Sequence, residues 1–121
     1  MKPVLRTLIV INDAPYGTER TYNALRLALA LLKSDTDAEL TVFLMADAVA
    51  AGRRGQTTPE GYYNLERMLR RVLAGNGQVL LCGSCMDARA IAEADVVEGA
   101  TRSTMDALAA ATIAADKVLV F

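Results

Sequence analysis

The chain has 121 residues, 13 of them basic and 14 acidic for a net charge of −1, and contains neither histidine nor tryptophan. Ser-His-Asp or Cys-His catalysis within one subunit and metal sites built on imidazole are thereby excluded. Balanced charge, with no basic tract interleaved with aromatics, also offers nothing for nucleic acid or an anionic membrane to recognise.

Hydrophobic residues make up 53% of the chain and aromatics 5%, so the apolar content is mostly Ala, Leu and Val. That mixture suits a buried sheet covered by helices, and the length fits one domain over residues 1–121. Met1-Lys2-Pro3-Val4 leads into a charged strand rather than a signal peptide, and runs such as Ala28 to Leu32 are too short to span a bilayer. A cytoplasmic protein is the expectation.

Val4 to Ile11 is nearly continuous in its apolar character and rich in β-branched residues, as in a central strand covered on both faces. Asn12 to Gly17 reads as a loop. Thr18 is a suitable N-cap, and Tyr22, Leu25, Leu29 and Leu32 recur at helical spacing, which predicts a helix from about Thr18 to Lys33. A second strand is predicted over Glu39–Met45, followed by one or two helical turns over Ala48–Gly52. The stretch Gly52 to Gly61 carries no apolar pattern, and long irregular loops in small domains are usually functional or mobile. From Tyr62, the positions Leu65, Met68, Leu69, Val72 and Leu73 mark a helix that Gly75-Asn76-Gly77 ends. Gln78 to Leu81 is a third strand and delivers Cys82.

Beyond it, Asp87 to Ala94 reads as a short helix and Val96 to Ala100 as a brief fourth strand. An Ala-rich helix opens at Ser103 with Asp106 in its first turn, and Lys117 to Phe121 is a final strand. Strands alternating with helices predict an α/β domain with a mostly parallel five-stranded sheet and helices on both faces. Ligands of such sheets sit outside the carboxyl ends of the strands. The Asn12–Gly17 loop, Asp47 with the Arg53–Gly61 loop, and the Cys82–Arg89 turn all belong at that edge.

The chemistry-bearing motif is Cys82-Gly83-Ser84-Cys85. A thiol where a strand gives way to a turn and a short helix sees backbone N–H groups and the positive end of that helix, which favour the nucleophilic thiolate. Two cysteines so close would close only a small loop, so a stabilising staple explains them poorly. The plain alternative is two small buried hydrophobes. Redox dithiol use fits the spacing, whereas zinc would need two further ligands that only carboxylates or a second copy of the chain could supply. Arg89 is near enough in sequence to stabilise a thiolate. Asp13 and Asp47 could act as acid or base groups but are more simply turn formers or caps. Arg53 and Arg54 could bind an anion or be a solvated loop, while Tyr62 and Tyr63 read as core and rim. Neither a P-loop nor the dinucleotide glycine fingerprint is present, and no cofactor is implied.

Read together, Ala14-Pro15-Tyr16-Gly17-Thr18-Glu19, Phe43-Leu44-Met45-Ala46-Asp47-Ala48-Val49, Ala51-Gly52, Arg54-Gly55-Gln56, Gly61-Tyr62, Leu81-Cys82, Cys85-Met86-Asp87-Ala88-Arg89 and Ala115-Asp116-Lys117-Val118-Leu119 resemble the DsrE/DsrF-like sulfur-relay family. The resemblance covers nearly the whole chain and is strongest to the small soluble YchN-like branch. It implies a three-layer α/β/α fold and a ring-like homo-oligomer, a homotrimer or homohexamer. It also implies that Cys82 carries sulfur as a persulfide, exchanging it with donor and acceptor proteins, and that Cys85 is the extra cysteine of that branch. Tyr16, Asp47, Arg54 and Arg89 would shape the mouth of the site. The chain departs from the pattern at Ala90, where relatives have a glycine that permits a tight turn. Two rivals to the sulfur carrier remain open: a non-catalytic oligomeric binding protein, and a thiol redox sensor switched by a Cys82–Cys85 disulfide.

Overall fold

Five parallel strands in the order β4-β3-β2-β1-β5 form the frame of the computed structural model, which describes residues 4–121. They are β1 (Arg6–Ile11), β2 (Glu39–Leu44), β3 (Gln78–Cys82), β4 (Thr101–Ser103) and β5 (Lys117–Val120). The helices are α1 (Arg20–Ser34), α2 (Leu65–Ala74), α3 (Gly83–Asp87) and α4 (Met105–Ala114), with a 3-10 helix over Ala46–Gly52. Met1, Lys2 and Pro3, read above as part of the lead into a strand rather than a signal peptide, lie outside the described residues. Among the described residues no helix is long and apolar enough to cross a membrane.

The order follows from chain connectivity. The chain steps from β1 through β2 and β3 to β4 and then returns past β1 to β5. Right-handed crossovers therefore place α1 and α2 together on one face and α4 on the other. In accord with this, α1 and α2 pack on each other and on the sheet, while α4 packs against β1. The three layers expected of the chain are thus formed.

The inner strands β1 and β2 are nearly continuous in burial because both faces are covered. Phe43, Leu8, Ile9, Ile11, Leu25, Leu44, Leu65, Leu69 and Leu81 are among the largest fully buried side chains. Burying each such side chain contributes about 1.5–3 kcal/mol. Register pairs Ile11 with Leu44, Leu44 with Leu81, and Cys82 with Ser103, so the carboxyl ends of four strands finish along one edge.

Several boundaries differ from expectation. Glu19 rather than Thr18 precedes α1, because the Thr18 hydroxyl donates instead to Asp13 Oδ2 at 2.5 Å. Asn64 caps α2 by accepting from the Arg67 N–H at 3.1 Å, so that helix begins three residues after Tyr62. The 3-10 helix starts at Ala46, ahead of the expected Ala48. Thr104, not Ser103, caps α4 by accepting from the Ala107 N–H.

Two corrections concern the segment after the cysteines. The helix expected over Asp87–Ala94 lies instead at Gly83–Asp87, beginning directly after Cys82, and only a short 3-10 turn, Glu93–Asp95, follows. The fourth strand is Thr101–Ser103 rather than Val96–Ala100. Val96 and Val97 are apolar because they are buried beside the long loop: Val96 makes an antiparallel bridge with Arg53, and the Val97 N–H donates to Gly52 O at 2.8 Å.

Candidate functional site

Cys82 closes β3 and stands immediately before the first residue of α3, with both cysteines unpaired as free thiols. Cys82 is buried and Cys85, one turn into α3, is partly exposed. The Cys82 sulfur lies 3.3 Å from the Ser84 hydroxyl. Burial opposes its ionisation, yet the Cys85 thiol, the Ser84 hydroxyl and the N–H groups of Cys85 and Ser84 outweigh that effect and hold the Cys82 thiol below its ordinary value.

Cys85 moves the opposite way. Burial comes first, and donation of its proton toward Cys82 adds to it, so its thiol is pushed up despite the Ala46 N–H and the charge of Arg89. The Ala46 N–H reaches the Cys85 sulfur at 3.2 Å. Ala46 adopts a left-handed φ of 49°, a conformation uncommon for any residue with a Cβ, and this is the turn from β2 that presents its N–H to the sulfur. The pair is asymmetric: the Cys82 thiol is shifted down and the Cys85 thiol up.

Around this pair the structure gathers Arg89 and Asp47. Arg89 Nη2 and Nε donate to Asp47 Oδ1 at 2.8 and 3.0 Å, and Nη1 donates to Cys85 O at 3.0 Å. Arg89 thus ties the end of α3 to the 3-10 helix, and its charge acts on Cys85. The turn that positions it keeps the conformation of a glycine turn: Ala90 sits at φ 54°, and the Ile91 N–H closes back on Met86 O at 3.0 Å. Alanine at this position is therefore strained.

The cation beside Cys82 is Arg102, which sequence reasoning did not single out. It stands on β4 opposite Leu81, and its guanidinium grips Asp87 with two bonds, Nη1 to Oδ1 at 2.7 Å and Nη2 to Oδ2 at 2.8 Å. The bond to Arg102 is the main reason the Asp87 carboxyl lies below its usual range, and Asp87 in turn raises Arg102, with smaller contributions from Glu93 and then Cys82. Only the pairing of β4 with β3 brings these residues together, so spacing along the chain carries no signal of it.

Tyr16 and Arg54 are placed differently from the cysteine neighbours. The Tyr16 hydroxyl donates to Gln56 Oε1 at 2.5 Å and accepts from the Leu65 N–H at 3.0 Å, and its ring stacks on Tyr63. Arg54 has an exposed side chain, with its N–H bound to Asp95 O at 2.9 Å. Gln56, also not singled out, is the pin of the long loop. Its Nε2 donates to Ala51 O and Arg53 O, both at 2.7 Å, and its N–H donates to Glu66 Oε1 at 2.8 Å. Asp13 serves its turn, accepting from Thr18 and the Ala14 N–H.

This chain is similar over nearly its full length to known proteins. It is 46% identical to the protein YchN of Escherichia coli over 116 residues, covering 96% of this chain and 98% of that one. The crystal structure of the Escherichia coli protein superposes with a TM-score of 0.93 at 45% identity, covering 98% of this chain and all of the other. An uncharacterized protein of Methanopyrus kandleri is 37% identical over 113 residues, covering 93% of this chain and 91% of that one. A protein of unknown function from Methanobacterium thermoautotrophicum shares the fold alone, with a TM-score of 0.76 at 13% identity over 93% of this chain and 96% of that one. Residues 6–121 match the model of the DsrE/DsrF-like family, and the chain belongs to that family.

Proposed function

We propose that this protein is a sulfur carrier that holds sulfane sulfur as a persulfide on Cys82. The observation that carries the reading is the asymmetry of the cysteine pair: the Cys82 thiol at the end of β3, 3.3 Å from the Ser84 hydroxyl, is held below its ordinary value while that of Cys85 is raised. Membership in a family linked to sulfur relay supports it.

In the forward step the Cys82 thiolate attacks the terminal sulfur of a donor persulfide. A new sulfur–sulfur bond forms on Cys82 as the donor's bond breaks, and the donor leaves as its thiolate. An acceptor thiolate reverses the process by attacking the outer sulfur of Cys82–S–SH, which regenerates the Cys82 thiolate. Alternatively, Cys85, once ionised, attacks the inner sulfur, forms the Cys82–Cys85 disulfide and expels hydrosulfide. A dithiol reductant must then reset the pair. Asp47 and Arg89, bound to each other beside Cys85, would frame the approach of the donor.

We also propose that the carrier is a homo-oligomer. On α4 only Leu108 is buried, although the helix is apolar nearly all round, while Ile113 is 86% and Val120, on the edge strand β5, 66% exposed. A second copy of the chain is the partner such a surface fits. Light scattering at micromolar concentration would return a mass above that of one chain, and Ile113→Asp would lower it; a stable wild-type monomer would overturn the assembly.

Intact mass analysis of the reduced protein after exposure to a persulfide donor tests the carrier reading. Gain of whole sulfur atoms in the wild type and in Cys85→Ser, but not in Cys82→Ser, is the expected result. Loading that survives in Cys82→Ser, or no loading where an established carrier loads, overturns it.

A further inference from the structure

All four tyrosines of the chain meet in one cluster, although they come from the loop after β1, from α1 and from the approach to α2. The Tyr63 ring is central, with centroids 4.1 Å from Tyr22, 4.5 Å from Tyr62 and 5.5 Å from Tyr16, at interplanar angles of 19°, 23° and 25°. Tyr62, on the outer side, remains 49% exposed. Tyr22, Tyr62 and Tyr63 line an open cavity of about 420 Å³ between α1 and α2, together with Arg26, Arg67 and Arg71.

The charge in this cavity is unbalanced. Arg67 and Arg71 stand one helical turn apart on α2, a spacing at which like charges repel. Their neighbour Arg70 is paired with Glu66 at 2.8 Å, yet neither Arg67 nor Arg71 makes an ion pair among the described residues. Arg26 lies over the Tyr22 ring at 5.5 Å and donates to the neutral Asn23 amide. Tyr63, pushed up to about 12 first by its hydrogen bond with Tyr62 and also by the charge of Glu19, keeps its proton; Glu19 acts on the ring stack but does not line the cavity. A flat apolar face beside uncompensated guanidinium groups matches an anion that carries a planar ring.

We infer that this groove binds a small anion bearing an aromatic ring, of the nucleoside monophosphate kind, with its ring against Tyr62 and its phosphate between Arg67 and Arg71. The phosphate is held by guanidinium side chains, which offer paired donors in a fixed plane, and so needs no glycine-rich loop. Tyr62 and Arg67 also border the adjoining polar cavity of about 350 Å³ under the Gln56–Gly61 loop, which gives the sugar room. The lining of the groove includes neither Cys82 nor Cys85.

Because the chain has no tryptophan and its tyrosines are all in this cluster, tyrosine ring signals in a proton NMR titration report the groove directly. Adenosine 5′-monophosphate is expected to shift them saturably at low salt, with adenosine and ribose 5-phosphate each at least tenfold weaker. Arg67→Gln and Arg71→Gln, measured singly with the fold checked by circular dichroism, should each weaken the monophosphate about tenfold and leave adenosine unchanged. Tyr62→Leu should weaken both, and Cys82→Ser neither. No shift at millimolar monophosphate would overturn the inference. So would undiminished binding in both folded arginine variants, or ribose 5-phosphate binding as tightly as the monophosphate.

Discussion

The guanidinium of Arg102 lies across Gly83, so close that a Cβ on that residue would stand 2.8 Å from Arg102 Cζ and Nε. Gly83 directly follows Cys82, so the missing side chain is what lets a cation from the neighbouring strand rest beside the sulfur-bearing turn. Gly83→Ala must push Arg102 away and loosen its grip on Asp87. We expect Cys82 alkylation by iodoacetamide at neutral pH to slow and its pH profile to move upward, with Arg102→Lys retaining more of the wild-type profile than Arg102→Ala. An unchanged profile in folded Gly83→Ala would remove Arg102 from the description of the thiol.

A depressed Cys82 thiol carries a second pH prediction. Its folded-state value lies below the ordinary one, so the thiolate is present at lower pH than for an ordinary thiol, and reactivity is lost only as pH falls through the lowered value. Cys85 is shifted the other way and should alkylate only at higher pH. Peptide mapping after limited alkylation near neutrality should find label on Cys82 alone. Cys85→Ala, which removes a donor to the thiolate, should move the Cys82 profile upward.

Gln56 holds the long loop through hydrogen bonds to Ala51, Arg53, Tyr16 and Glu66. Gln56→Ala leaves the acceptors at Ala51 and Arg53 and the Tyr16 hydroxyl without that partner, at a cost of about 1–3 kcal/mol. Urea unfolding should show that loss, and limited proteolysis should cut the loop between Arg53 and Gly61 faster than in the wild type.

At Ala90 the left-handed φ of 54° is strained by about 1–2 kcal/mol for a residue with a Cβ. Glycine removes the strain but adds about 0.4–1 kcal/mol of unfolded-chain entropy to be lost on folding. Ala90→Gly should therefore leave stability unchanged or raise it by up to about 1.6 kcal/mol. Thermal unfolding that shows a lower midpoint would contradict this account of the turn.

Most of the fold was legible along the chain. The unbroken apolar run of β1, the helical recurrence of Tyr22, Leu25, Leu29 and Leu32, and the Gly75-Asn76-Gly77 stop after α2 are local signals, and the elements lie near where they predict. The segment after Cys82 was misread for equally physical reasons. Gly83 is a poor helix former, so α3 gave no propensity signal where it starts. Val96 and Val97 imitate a buried strand because they are buried against the 3-10 helix and its loop, while the true edge strand Thr101–Ser103 carries exposed residues.

By itself the sequence determined the chemistry on offer: two cysteines three residues apart after a strand, no imidazole, and the alternation of strands and helices that demands a parallel sheet. Backbone propensity, apolar period and residue inventory are local properties, readable one window at a time. Only the tertiary structure decided which charges meet which sulfur, setting Arg102 beside Cys82 and Arg89 beside Cys85, and which rings stack on Tyr63. Those contacts arise from strand pairing and helix packing between distant segments, where register rather than sequence spacing sets the distance.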